Sequence, residues 1–323
     1  MRTTLFLVTL LSLFVMVIGP VNAQVDFPNR PIQILNGYAP GGSVDVLARA
    51  LAQEAKRFLG QEVVIVNKPG AGGTVAAISV ATSKPDGYTL GATPSSTFTV
   101  SPNLLELSTD IVKETTPLLS IAKYNVAVFV KSDSPFKNLK GFLDYAKQNP
   151  GKATYGHPGV STRPHLIMEM IAAQEGVKIN FVAFPGDTPT TTALLGGHIM
   201  AAGCAAAGWI SHAQAGTVRL LAIMEEQRMD LFPDIPTVVE AGYPYALPLV
   251  VFLYGPKGLP EPVVKKLEDA FNKASQSPAY KKVATDNALF SKRNMHREEL
   301  ARFLDSERTK TGDIIKKLGL GKK

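Results

Sequence analysis

Three stretches of this chain place glycines and hydroxyls directly after an apolar run of β type. The first is Gly37-Tyr38-Ala39-Pro40-Gly41-Gly42-Ser43-Val44-Asp45. Its glycines remove side chains, so that a ligand can reach backbone N–H groups, and Ser43 stands where a helix N-cap is expected. The first turn of a helix leaves N–H donors unpaired and carries partial positive charge, which suits a carboxylate or phosphate. The second, Tyr155-Gly156-His157-Pro158-Gly159-Val160-Ser161-Thr162-Arg163-Pro164-His165, has the same plan, with Pro164 in a first helical turn. The third, Phe184-Pro185-Gly186-Asp187-Thr188-Pro189, places Thr188 as a cap and Pro189 at the first helical position. Asp187 there either accepts from a ligand hydroxyl or ammonium, or serves the N–H groups of its own helix.

Other chemistries fit poorly. Pro69-Gly70-Ala71-Gly72-Gly73-Thr74 is like a dinucleotide loop, but Val75 occupies the place of the third glycine. No Gly-x-Ser-x-Gly elbow occurs, and His157 and His165 do not match a zinc spacing. The single Cys204 lies in a run of alanines and glycines, which reads as close packing, and it excludes an intrachain disulfide. The net charge of +7 comes largely from lysines and arginines in the last 45 residues without aromatic platforms among them, so nucleic acid is not an expected partner. No catalytic residue, metal site or cofactor is expected. Arg163 either pairs with an anionic ligand or points to water, and the second is the expectation.

The elements that must position these loops follow from periodicity. Strands are expected at 31–35, 63–66, 88–92, 126–130, 154–155, 180–183 and 218–223. Helical spacing covers 44–58, 74–83, 139–148, 164–174 and 189–195, and a charged helical tail runs from Pro262 with a break near Ser291-Lys292-Arg293. Alternating strands and helices imply parallel sheets with right-handed crossovers. A chain of 323 residues has length for about two such units. Ligands of open parallel sheets bind beyond the carboxyl ends of the strands, so a cleft between two lobes is expected.

Residues 1–23 read as a secretory leader: Arg2, then the apolar stretch Leu5–Gly19, then Val21-Asn22-Ala23 with small residues at a cleavage site near Ala23. No later stretch has 18 consecutive apolar residues.

Ordered motifs carry a more specific signal. Phe27-Pro28-Asn29-Arg30-Pro31-Ile32 and Tyr38-Ala39-Pro40-Gly41-Gly42-Ser43-Val44-Asp45 are followed by Asn67-Lys68-Pro69-Gly70-Ala71-Gly72-Gly73 and Lys84-Pro85-Asp86-Gly87-Tyr88-Thr89-Leu90. Leu194-Leu195-Gly196-Gly197-His198, Phe232-Pro233-Asp234-Ile235-Pro236-Thr237 and Glu240-Ala241-Gly242 come later. The set resembles the solute receptors of tripartite tricarboxylate transporters, the Bug (TctC-like) family, along nearly the whole chain after the leader.

The resemblance implies an α/β, two-lobed periplasmic-binding-protein fold (type II, Venus flytrap), each lobe a mostly parallel sheet flanked by helices. It implies a periplasmic, non-enzymatic receptor that binds a small carboxylate (di- or tricarboxylate, or aromatic acid) and delivers it to the permease subunits of a membrane transporter. Carried over residue by residue, the first ligand loop is Tyr38, Ala39, Gly41, Gly42 and Ser43. The opposing loop is Gly156, Gly159, Ser161, Thr162 and His165, and the selectivity loop is Phe184, Gly186, Asp187 and Thr188. The chain is expected to cross between lobes near Lys123-Tyr124-Asn125 and Leu247-Pro248-Leu249. That gives 24–124 plus 249–323 as lobe 1 and 125–248 as lobe 2, in a monomer. Rival readings are a receptor that presents its ligand to a sensor kinase, and a secreted hydrolase using Ser161 or Cys204.

Overall fold

A computed structural model of the chain describes residues 26–289, 291 and 293–321. The expected leader at 1–23 with its cleavage site at Ala23, and Lys292 at the expected break in the tail, lie outside the described residues. In chain order the elements are β1 (Ile32–Asn36), α1 (Ser43–Leu59), β2 (Val63–Asn67), α2 (Thr74–Ala81), β3 (Thr89–Pro94), α3 (Ser96–Thr99), α4 (Ser101–Leu104) and β4 (Thr115–Lys123). There follow β5 (Val126–Lys131), α5 (Leu139–Gln148), β6 (Thr154–His157), α6 (Arg163–Glu175), β7 (Asn180–Ala183), α7 (Asp187–Leu195), β8 (Ala201–Ala205), α8 (Ala206–Gln214) and β9 (Val218–Ile223). The chain closes with β10 (Val250–Pro256), α9 (Glu261–Ser275), α10 (Pro278–Asp286) and α11 (Arg297–Lys317).

Two five-stranded sheets form, in the orders β2-β1-β3-β10-β4 and β7-β6-β8-β5-β9. Both repeat one plan. A central strand pairs in parallel with neighbours on either side (β1 with β2 and β3; β6 with β7 and β8). A strand running the other way then separates the last strand from the rest (β10 in one sheet, β5 in the other). Each reversed strand is one that has just arrived from the other sheet, because β4 is followed by β5 and β9 by β10. The two-lobed α/β fold read from the alternation is thus the observed one, with four strands of each sheet pointing the same way.

The inner strands are buried on both faces, as helix-covered sheets require, whereas the edge strands β2 and β7 are partly exposed. In β10, Val251 and Leu253 enter the main core while Phe252 and Tyr254 enter a second core beneath α2 and α11. On α1, Leu47, Ala48, Leu51 and Ala55 are fully buried along one stripe. The helix stops at Gly60, which takes the left-handed conformation (φ 70°) that a side chain would resist. α9 and α10 pack against α1, and α11 against β4.

Periodicity did not reveal β4, β8 or β10 as strands. The sequence of β8, Ala-Ala-Gly-Cys-Ala, carries little β propensity. It is a strand because larger residues close over it: a Cβ on Gly203 would collide with the Tyr155 ring, and the Trp209 indole donates to the Cys204 carbonyl at 3.0 Å.

Candidate functional site: the cleft between the two sheets

The shared topology brings the loops after β1, β2 and β3 face to face with those after β6, β7 and β8. In the first loop, Asn36 Oδ1 accepts the Tyr38 N–H at 3.2 Å and so shapes the turn. The Tyr38 ring lies inward, and its hydroxyl donates to the Gly72 carbonyl at 2.8 Å. Burial pushes that phenol well above its ordinary range. The Gly41 N–H donates to Asp45 Oδ2 at 3.0 Å, and Asn67 Nδ2 and Arg49 Nε donate to the same carboxylate at 2.8 and 2.9 Å. Burial alone would raise the Asp45 carboxyl, but these partners outweigh it and hold it below the usual range.

Two caps differ from expectation. Gly42, not Ser43, is the N-cap of α1, and Ser43 is its first residue. With no side-chain cap to form, the Ser43 hydroxyl turns across the cleft to α8 and accepts the Ala207 N–H at 3.2 Å. Likewise α7 begins at Asp187 behind Gly186, so Thr188 and Pro189 sit inside its first turn.

The facing loops touch. The Ala39 N–H donates to the Pro185 carbonyl at 2.8 Å, and Ser101 Oγ lies 2.7 Å from Ser161 Oγ. Gly72 and Gly159 meet backbone to backbone: a Cβ on Gly159 would lie 3.1 Å from the Gly72 nitrogen. At the centre is Asp187, 3% exposed. Its Oδ2 accepts from the Ser43 N–H at 3.1 Å and the Tyr124 hydroxyl at 3.5 Å, and its Oδ1 from the Ala205 N–H at 3.2 Å. Burial raises its carboxyl above the usual range, against the pull of these donors.

The structure therefore gathers Tyr38, Ala39, Gly41, Gly42, Ser43, Gly159, Ser161, Gly186, Asp187 and Thr188 along one seam. Gly156 lies behind it, where a Cβ would press on Ile199, Phe184 and Thr190. Thr162 turns its hydroxyl to the Gly159 carbonyl at 2.7 Å and holds the loop. Periodicity and motif reading missed Tyr124, Ser101, Gly72 and Ala205 as seam residues. The run of small residues around Ala205 was the available signal, since only small side chains allow so close an approach.

His165 stacks on His157 with ring centroids 4.2 Å apart, under the loop rather than in the seam. Burial lowers His157 to about 4. His165 falls to about 3, through burial and then the neighbouring ring. Both rings are neutral in the folded protein when an unfolded chain would already protonate them. Stability is therefore complete above the ordinary histidine value near 6.5 and is lost as pH falls toward 4, by on the order of 5 kcal/mol for the pair. Thermal melts are expected to show this acid limb, and His165→Met should flatten it. Parallel limbs in wild type and variant would exclude the histidines as its cause.

Arg163 does not point to water. It is 1% exposed, and its Nη2 donates to the Met224 carbonyl and to Glu225 Oε1. Cys204 is buried, its thiol raised by burial, and so it lacks the environment of an activated nucleophile. No cluster of three or more His, Cys, Asp or Glu able to hold a metal occurs among the described residues, and none of their helices is long and apolar enough to cross a membrane.

Comparison with known proteins gives these loops a context. Residues 47–320 match the family model described as the tripartite tricarboxylate transporter family receptor, TctC. A Cupriavidus necator protein, the UPF0065 protein in the gbd 5′ region, is 38% identical over 304 residues, covering 94% of this chain and 92% of the relative. The solved periplasmic binding protein BugD superposes with a TM-score of 0.84 at 26% identity, covering 92% of this chain and all of BugD. MatC from Rhodopseudomonas palustris, solved with bound malate, gives a TM-score of 0.85 at 28% identity over 90% of this chain and 100% of MatC. The chain belongs to the TctC family of periplasmic solute receptors, whose members bind a substrate for a tripartite membrane transporter and are not enzymes.

Proposed function

We propose that this receptor captures a small carboxylate between its two lobes and hands it to the permease subunits of a tripartite tricarboxylate-type transporter. One observation carries the reading: the buried carboxylate of Asp187 is held by backbone N–H groups from both lobes, Ser43 on one and Ala205 on the other. Donors converging on one point from two bodies suit a carboxylate better than a sugar, whose hydroxyls need acceptors as well. MatC, which carries malate, supports a dicarboxylate as the ligand class. Tyr38, Ala39, Gly41, Gly42, Ser43, Gly159, Ser161, Gly186, Asp187 and Thr188 would line the ligand, with Gly156, Thr162, His165 and Phe184 shaping the wall behind it. The lobes are taken as 24–124 with 249–323 and 125–248, in a monomer released after cleavage near Ala23.

Binding to the folded state alone raises the melting temperature. Malate, adipate and benzoate at about 100 times their dissociation constants should each add ~3 kcal/mol, a shift on the order of 5 °C. Shifts with neutral sugars and none with acids would overturn the carboxylate reading.

A further inference from the structure

Asp187 is the first residue of α7, a position where a carboxylate ordinarily serves its own helix. Here it reaches across the cleft instead. Its donors come from three separate pieces of the fold: the first residue of α1, the segment joining β4 to β5, and the residue that precedes α8. No Lys or Arg pairs with it among the described residues, so the negative charge is held by hydrogen-bond donors and the positive ends of two helices. Two glycines make the room. A Cβ on Gly42 would lie 3.4 Å from Oδ2, and one on Gly208 would lie 2.9 Å from the Asp187 Cβ. The carboxylate thus sits among donors of the kind an incoming acid would use.

We infer that Asp187 is an internal stand-in for the ligand: it closes the empty receptor on its own carboxylate, and an incoming acid must displace it from Ser43 and Ala205. The inference rests on the reading of the cleft as a carboxylate site. It makes Asp187 a threshold on affinity, since displacing it costs every acid the same, and an acid with the carboxylate as its only contact merely exchanges one anion for another. An acid with a second anchoring group gains a contact that Asp187 lacks. Burial works against the charged form of Asp187, which keeps the latch displaceable.

Two variants separate the roles. Asp187→Ala removes the internal anion and leaves the donors. Ser43→Pro removes the Ser43 N–H, at a first helical position that proline tolerates, together with the hydroxyl that meets Ala207, and Ser43→Ala, which keeps the N–H, is its control and should stay compact. Small-angle X-ray scattering of the ligand-free proteins should show wild type compact and both variants expanded, with circular dichroism reporting that each is folded. By calorimetry with malate and acetate, Asp187→Ala should bind both at least tenfold tighter than wild type and by a similar factor, because the same internal anion is removed for each, while Ser43→Pro should gain nothing. Ligand-free Asp187→Ala and Ser43→Pro as compact as wild type, or weaker malate binding by Asp187→Ala, would overturn the inference. Absence of carboxylate binding in all three proteins would refute the carboxylate reading, and scattering would still decide whether Asp187 closes the empty receptor.

Discussion

Gly72→Ala is expected to abolish binding of a dicarboxylate probe, a loss of at least about 100-fold, while the protein stays folded. Gly72 has φ 63°, and a Cβ there would overlap the Val160 carbonyl oxygen and lie 2.9 Å from Ser161 Oγ, both on the opposite side of the cleft. Backbone cannot yield as a flexible side chain can, so the lobes must stop short of contact. A ligand that binds only the closed state loses whatever closure now costs, and about 2.7 kcal/mol is already two decades of affinity. Left-handed alanine itself costs about 1–2 kcal/mol of stability. Gly176→Ala is the control: it has the same φ of 63° and nothing within 4 Å, so it pays the strain without meeting the other lobe. Calorimetry with malate on the two variants decides the matter. Equal affinities in Gly72→Ala and Gly176→Ala would refute a role for the Gly72–Gly159 contact in closure.

The second large effect is on stability. Arg163→Ala should cost about 3–5 kcal/mol, because it leaves the Glu225 carboxylate buried without its cation. Burial already holds that carboxyl above the usual range, and Arg163, then Lys123, partly offset this. Without Arg163 the folded-state value rises further. A group whose folded value is raised loses its contribution as pH climbs through that value, so the defect should be deeper at pH 8 than at pH 5. Arg163→Met with Glu225→Met removes both charges and should recover most of the loss, since an apolar pair of similar volume is often as stable as a buried ion pair. Urea denaturation at the two pH values reads all of this. A single variant within 1 kcal/mol of wild type at pH 8 would show that the pair is not a buried anchor.

Much of the architecture is legible in the chain because it depends on local patterns. The stripe Leu47, Ala48, Leu51 and Ala55 specifies α1, and the run Val63–Val66 specifies β2, whatever surrounds them. Glycine and proline mark the loops after the strands for the same reason: φ preferences belong to single residues. β8 is not legible in this way. Its alanines and glycine become a strand through the Tyr155 ring and the Trp209 indole packed around them, and those partners come from other elements.

The seam divides in the same manner. That the loop from Gly37 to Asp45 opens a helix and offers N–H groups follows from residue types alone. Which group receives them does not. Ser43 faces Asp187 across 144 residues of chain, and Arg163 finds Glu225 62 residues on. Sequence by itself determined the alternating elements, the position of the loops and, through ordered motifs, the family. Only the tertiary structure decided that Arg163 is buried, that the histidines lie under the loop, and that Asp187 spans the cleft. Spacing along a chain describes neighbours within a turn or a strand, whereas a buried charge selects its partner by the space, the donors and the loss of water that the packed lobes impose.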